Sequence, residues 1–387
     1  MESSPPRRRV AVVFGTRPEA IKMAPIVLAL RSDPRFDPYV IVTGQHREML
    51  DQVLQLFGIR PDADLDIIRP RQSLTSVTTR TLDGLAPLLT DDLAAVLVQG
   101  DTTTTMATAL AAFYARIPTV HVEAGLRTGN RWSPYPEEMN RLLTTRLASL
   151  HLAPTWTARE NLLREGIPAA DIVVTGNTVI DALLWVAPRV PAFTDPRLTA
   201  LEASGKRTVL VTTHRRESWG PRMAGVAHTL AEVAKDRDDL AFVLPMHRNP
   251  VVREVLEPVL GPRDNVVLTE PLDYGEFVRA MEMAEVLVTD SGGVQEEGPS
   301  LGKPVLVLRD STERPEAVAA GTARLVGTDP VALRHWLLTL LDDPHAYRQM
   351  ATAVNPYGDG QAAPRCVAAL AGMLGMGDIV SQWALSS

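Results

Sequence analysis

The stretch Val286-Leu287-Val288-Thr289-Asp290-Ser291-Gly292-Gly293-Val294-Gln295-Glu296-Glu297 decides how this chain is read. Three aliphatic residues in a row make a short run that is apolar on both faces, as expected of a strand inside a parallel sheet. The polar Asp-Ser-Gly-Gly that follows ends the strand and opens a helix. A helix starting there has unpaired N–H groups and the positive end of its dipole at Ser291 and Gly292. Glycine also lets a ligand approach the backbone closely, so phosphate oxygens are favoured at that point. Two carboxylates, Glu296 and Glu297, come within the next turn, where they could accept from ribose hydroxyls. The layout suits a sugar nucleotide. The plain alternative is an ordinary strand-to-helix turn whose glycines serve packing.

Outward from that stretch the same alternation repeats. Strand-like runs fall at Val10–Phe14, Tyr39–Val42, Ala94–Val98, Thr119–Val122 and Ile172–Val174. A second series follows at Val209–Val211, Ala241–Leu244, Val266–Leu268, Val286–Val288 and Val305–Leu308. Helical periods such as Met106–Tyr114, Arg159–Glu165, Met223–Ala234 and Phe277–Ala284 lie between them. Strand–helix alternation argues for parallel sheets covered on both faces. The series restarts after the Pro-rich, weakly patterned stretch Pro188 to Lys206, which predicts two doubly wound, Rossmann-like α/β domains facing a cleft. The first is expected over 1–180, with a C-terminal helix at 361–387 packing back onto it, and the second over 181–360. Gly15-Thr16-Arg17-Pro18-Glu19 turns the first strand into a helix without a Gly-x-Gly-x-x-Gly fingerprint, which weakens any dinucleotide reading.

Composition narrows the class. The chain has 387 residues, long for one domain, and a net charge of −7 that argues against general nucleic-acid binding. The single cysteine, Cys366, leaves no intramolecular disulfide framework and no cysteine-built zinc site. No apolar run reaches the length of a membrane span, and Arg7-Arg8-Arg9 is not followed by a signal-peptide pattern. A cytoplasmic enzyme is the expectation.

Ligands of doubly wound sheets sit at the carboxyl ends of strands, so the residues after each apolar run carry the chemistry. These are Gln99-Gly100-Asp101, Glu123-Ala124-Gly125, Thr213-His214-Arg215-Arg216 and Met246-His247-Arg248. The loop Pro136-Glu137-Glu138 adds two acids ahead of a helix. Asp101 could simply cap the helix that starts among the following threonines. Glu137 or Glu138 could complement a helix dipole. Glu123, directly at the end of a buried strand, needs a partner or a task. The histidines, each more often structural when taken alone, have arginines beside them and so suggest an anion pocket. No His-Glu-x-x-His or similar ligand spacing supports a metal. Several carboxylates with a cationic phosphate site point to proton transfer on a substrate whose leaving group is a phosphate ester. Arg17, Lys22, His214 and Arg314 could stabilise the departing diphosphate, while Asp101, Glu123 and Glu137 could move protons.

These motifs resemble those of the bacterial non-hydrolysing UDP-N-acetylglucosamine 2-epimerases. The similarity runs from Phe14-Gly15-Thr16-Arg17-Pro18-Glu19-Ala20-Ile21-Lys22 through Gly100-Asp101-Thr102, His121-Val122-Glu123-Ala124-Gly125 and Pro136-Glu137-Glu138-Met139-Asn140-Arg141. It continues through His214-Arg215-Arg216-Glu217, Asp290 to Glu297 and Thr312-Glu313-Arg314-Pro315-Glu316 to Asn355-Pro356-Tyr357-Gly358-Asp359-Gly360. The resemblance implies the two-domain fold of GT-B glycosyltransferases and a homodimer. It implies reversible inversion at C2 of UDP-GlcNAc to UDP-ManNAc, with no nicotinamide, metal or other cofactor. The implied route is anti elimination of UDP to 2-acetamidoglucal followed by syn re-addition. Such a product serves cell-surface polysaccharide, glycoconjugate or secondary-metabolite synthesis.

Carried over by position, Asp101, Glu123 and Glu137 are the acid–base carboxylates and His214 assists loss and return of the diphosphate. Arg17, Lys22, Ser291, Gly292 and Arg314 hold the diphosphate, Glu297 the ribose, and Phe277 packs near the uracil. Gln45, Arg71, Arg215 and His247 match a second UDP-GlcNAc site that regulates the first. One departure stands out: Thr213 occupies a position where that family usually has Gly or Ala. A GT-B glycosyltransferase, a hydrolysing epimerase and a catalytically silent sugar-nucleotide binder are the competing functions.

Overall fold

The computed structural model describes residues 7–44, 47–69, 72–215 and 218–377. Gln45 and Arg71 of the expected second site lie outside the described residues. The chain divides into two compact units, one made of 1–182 with 357–387 and the other of 183–356.

The first unit is built on a seven-stranded sheet. Its strands are β1 (Arg8–Phe14), β2 (Phe36–Val42), β3 (Ala63–Asp64), β4 (Leu93–Gln99), β5 (Thr119–Val122), β6 (Leu150–Ala153) and β7 (Ile172–Val174). They are ordered β3-β2-β1-β4-β5-β6-β7, and every pairing is parallel. The second unit has a six-stranded sheet of β8 (Arg207–Thr212), β9 (Leu240–Pro245), β10 (Val266–Thr269), β11 (Ala284–Thr289), β12 (Val305–Val307) and β13 (Ala323–Leu325). Its order is β10-β9-β8-β11-β12-β13, again all parallel. Helices cover the sheets, as parallel strands require. The expected α/β class with two Rossmann-like sheets is the observed one.

The apolar runs seen in the sequence are these strands, with three exceptions. β3 and β13 are too short to show a pattern, and β6 carries His151 in its middle. That buried ring lies between the carbonyls of Asp171 (3.2 Å) and Thr145 (3.0 Å), and burial favours the neutral form, which donates to one of them. The stretch Pro188 to Lys206, read as weakly patterned, contains a helix at Pro196–Ser204, capped by Asp195 and ended by Gly205 in left-handed geometry. Two short motifs hide it: an Asp-Pro start and a Gly stop around only nine residues.

The core of the second unit runs through Val209, Val211, Phe242, Leu244, Val286, Val288 and Leu306. In the first, Ala11, Val13, Ile41, Val96 and Val98 form the equivalent layer. The described part of the C-terminal stretch forms a helix at Ala362–Met373, which packs on the Arg17–Ser32 helix and on β6. Asp181 holds its start, accepting from the amides of Ala362 (3.1 Å) and Ala363 (2.7 Å). Among the described residues no helix is long and apolar enough to cross a membrane.

Strand order sets where a ligand can bind. In each sheet the order reverses at one place, between β1 and β4 in the first and between β8 and β11 in the second. Loops leaving neighbouring strands there run to opposite faces and leave a crevice at the carboxyl ends. The Gly15–Glu19 and Gly100–Asp101 turns flank the first crevice. Thr213–Arg215 and Asp290–Gly292 flank the second.

Candidate active site

In the first unit one buried carboxylate stitches the switch point together. Glu19 accepts from the amides of Gly15 (2.9 Å) and Thr16 (2.8 Å) through one oxygen. Its other oxygen accepts from the hydroxyls of Thr102 (2.6 Å) and Thr105 (2.9 Å). The first pair closes a capping box with Thr16 at the head of the Arg17–Ser32 helix. The second pair reaches the start of the Thr103–Tyr114 helix. Glu19 therefore fixes the turn carrying Arg17 against the turn carrying Asp101, a role its place in the sequence motif does not disclose.

Asp101 is not a helix cap. Thr102 takes that position, its side chain accepting from the Thr105 amide. The Asp101 carboxylate faces Arg141 at 2.6 Å instead, and its carbonyl accepts from the Asn140 amide side chain at 2.9 Å. Asn140 and Arg141 both lie on the Glu137–Leu147 helix, so they dock the helix whose first residue is Glu137 onto Asp101. The two acids at that helix start divide their tasks. Glu138 is buried and accepts from the amides of Thr128 and Gly129, both at 3.1 Å, and from Arg141 at 3.0 Å. The half-buried Glu137 side chain makes no hydrogen bond or ion pair among the described residues.

Behind the Asp101 turn, Gly100 has a φ of +73°, which glycine adopts without strain. Its carbonyl is held by His121 Nε2 at 2.8 Å. Burial pushes His121 down to about 3, so the ring is neutral and this nitrogen is the donor.

Glu123 follows β5 with a φ of +62°, a strained geometry for a residue with a side chain. Three donors converge on its carboxylate. Lys22 Nζ and Gln99 Nε2 make close contacts, and Asn177 Nδ2 lies at 3.1 Å. The Lys22–Glu123 pair is largely shielded from water, with side-chain exposures of 13% and 8%. Lys22, expected on a diphosphate, thus also neutralises Glu123. Gln99 and Asn177 are additions to the expected site. Asn177 sits three residues beyond β7, so looking past every strand end would have reached it.

In the second unit Asp290 plays the part that Glu19 plays in the first. Its Oδ2 accepts from Thr213 Oγ (3.0 Å) and from the amides of His214 (2.8 Å) and Arg215 (2.9 Å). Its Oδ1 lies 3.0 Å from His214 Nδ1. Burial alone would raise Asp290, but the His214 ring and the two amides outweigh it and hold the carboxyl below its ordinary value. His214 itself is partly exposed and stacks on His247, with ring centroids 6.0 Å apart. Burial and the facing His214 ring lower His247, whose Nδ1 accepts from the Asn249 amide at 3.1 Å.

The strand-to-helix turn at Ser291 and Gly292 is as the sequence predicts, with Ser291 at the N-cap of the Gly292–Glu297 helix. Gly292 is needed there, because a Cβ would lie 2.8 Å from the Arg314 guanidinium carbon. Of the two carboxylates read as ribose ligands, Glu296 is otherwise engaged, accepting from Arg314 Nε at 2.9 Å. Glu297 accepts from the buried Tyr274 hydroxyl at 2.7 Å. Phe277, half-buried, is on the same helix as Tyr274 and three residues further along. Glu313 links the arginines, lying 2.6 Å from Arg309, 3.5 Å from Arg215 and 3.6 Å from Arg314. Burial would raise it, but the Arg309 hydrogen bond, its own backbone and the Arg215 charge bring it down to about 2. Among the described residues no group of three or more His, Cys, Asp or Glu side chains is placed to hold a metal ion.

The UDP-N-acetylglucosamine 2-epimerase family profile matches residues 28–371. The chain belongs to that family. The Escherichia coli K12 UDP-N-acetylglucosamine 2-epimerase is 55% identical over 371 residues, covering 94% of this chain and 98% of the relative. Among solved structures, the Neisseria meningitidis UDP-GlcNAc 2-epimerase bound to UDP-GlcNAc is 47% identical with a TM-score of 0.83. It covers 93% of this chain and 98% of that one. The Staphylococcus aureus MnaA–UDP co-structure is 44% identical with a TM-score of 0.87, covering 97% and 100%. Membership in the 2-epimerase family thus agrees with the resemblance carried by the motifs.

Proposed function

We propose that this protein interconverts UDP-GlcNAc and UDP-ManNAc by anti elimination of UDP and syn re-addition, without hydrolysis. The observation that carries the reading is Glu123, a shielded carboxylate in strained backbone with Lys22, Gln99 and Asn177 around it. A fold gains little from such an arrangement, whereas proton transfer needs an acid placed and held. Asp101, docked by Arg141 beside the Gly100 turn, and Glu137 at its helix start complete a set of three carboxylates in the first unit.

The chemistry assigns work to each group. One carboxylate removes the C2 proton as the C1–O bond to the diphosphate breaks, leaving a C1=C2 double bond. UDP leaves as a diphosphate whose new charge is met by Arg17, Ser291, Gly292, Arg314 and His214. UDP then returns to C1 while a second carboxylate delivers a proton to the opposite face of C2, so the net reaction consumes no water. Glu297, fixed by Tyr274, holds the ribose, and Phe277 packs near the uracil.

The deciding experiment is incubation with UDP-GlcNAc in D2O. The expected product is UDP-ManNAc carrying deuterium at C2 and still joined to UDP. Free ManNAc released in step with UDP would mean hydrolysis. Unlabelled, unchanged substrate would mean a binder without this activity.

A further inference from the structure

Thr213 and Asp290 have no part in the chemistry described so far, yet they surround the one imidazole assigned to the leaving group. The Asp290 side chain has no exposure to solvent, and its Oδ2 already takes three donors. Its Oδ1 is left without a hydrogen bond among the described residues, and His214 Nδ1 lies 3.0 Å from it. An ionised carboxylate can only accept, so a proton that satisfies Oδ1 has to come from the ring. A buried carboxylate oxygen without a donor is costly, which favours that proton position strongly.

We propose that Asp290 and Thr213 are positioning residues for His214: Asp290 takes the Nδ1 proton, Thr213 keeps the carboxylate turned to do so, and Nε2 is left to face the departing diphosphate. The geometry explains the hydroxyl at position 213, where family resemblance leads one to expect Gly or Ala. Rotation of the carboxylate about its Cβ–Cγ bond would move Oδ1 off the imidazole. The backbone amides of His214 and Arg215 resist that rotation from one side, and the Thr213 hydroxyl adds a third tie. His247 stacks over one face of the ring at 19° between planes, and the His214 carbonyl is tied to Trp219 Nε1 at 3.2 Å. The imidazole is therefore restrained at its Nδ1 edge, on one face and along its main chain. A fixed tautomer matters because only a nitrogen that carries its proton outward can donate to a diphosphate oxygen when the C1–O bond breaks.

The test combines kinetics with the tautomer itself, and only the kinetic part rests on the epimerase reading. Two-bond 1H–15N correlation spectra of histidine-labelled protein report which ring nitrogen holds the proton, with His214 assigned through its loss in His214→Gln. Wild type is expected to show the proton on Nδ1 when the ring is neutral. Asp290→Asn should reverse that preference and lower kcat by about 100-fold, the scale of a mispositioned acid–base group. Thr213→Val, which keeps the shape without the hydroxyl, should lower kcat by about tenfold with KM within about twofold, and Thr213→Ser should restore both. An Asp290→Asn protein with the wild-type tautomer and kcat would overturn the role of Asp290. A Thr213→Val protein matching wild type, or one that loses kcat with its spectrum unchanged, would overturn that of Thr213. If wild type turns over no UDP-GlcNAc, the epimerase reading fails, while the spectra still decide this one.

Discussion

Breaking the contact between Lys22 and Glu123 tests the heart of the first unit. In Lys22→Met the carboxylate keeps the amides of Gln99 and Asn177 but loses its cation, in a site that leaves it only 8% exposed. Removing one partner of a buried pair typically costs about 3–5 kcal/mol. With two amide donors remaining, the low end, about 3 kcal/mol, is expected. Glu123→Gln strands the ammonium instead. Its stem is long enough to reach outward to water, so the cost falls to about 2 kcal/mol. The double variant has no buried charge left to strand, and its loss should fall short of the sum by about 2 kcal/mol. Urea denaturation followed by far-ultraviolet circular dichroism measures all four proteins. Losses that add to within about 0.5 kcal/mol would show that the two charges do not depend on each other, and would refute this account of the site.

Asp101→Asn, Glu123→Gln and Glu137→Gln should each reduce turnover by at least about 100-fold in the D2O assay. Full activity in any one of them would remove that residue from the proton-transfer set. Burial pushes Asp181 up to about 6, so the folded state holds this proton more tightly than the unfolded chain does. Its contribution to stability is complete below pH about 4 and is lost as pH rises through about 6. Asp181→Asn should flatten that part of the stability–pH curve, and an unchanged slope in denaturation midpoints would place its origin elsewhere. Gly292→Ala should raise KM for UDP-GlcNAc by displacing Arg314, and an unchanged KM would remove Arg314 from the diphosphate site. If a second nucleotide site acts through Arg215 and His247, UDP-ManNAc alone should react slowly and a trace of UDP-GlcNAc should accelerate it; equal initial rates would show no coupling.

Much of this molecule is legible in one dimension because parallel strands buried on both faces appear as unbroken apolar runs. The turns after them are equally visible, since Ser291 and Gly292 at a strand-to-helix junction are dictated by local backbone geometry. Partnerships are not. Glu123 meets Lys22 from 101 positions away and Asn177 from 54, and no local pattern encodes either meeting. Glu19 was in plain view inside a quoted motif, but its bonds to Thr102 and Thr105 depend on β1 and β4 being neighbours. Glu296 and Glu297 look interchangeable in sequence. Only the fold shows one turned to Arg314 and the other to Tyr274.

The division of the chain has a consequence for how the protein is made. The second unit is one continuous segment, 183–356, whereas the first is closed by residues that follow that segment in the chain. The first unit is begun earlier but lacks the Ala362–Met373 helix until the whole of the second unit has been synthesised. Until then the Arg17–Ser32 helix and β6 have an uncovered apolar flank, and Asp181 waits without the two amides it binds. The half of the protein translated first is therefore the half completed last.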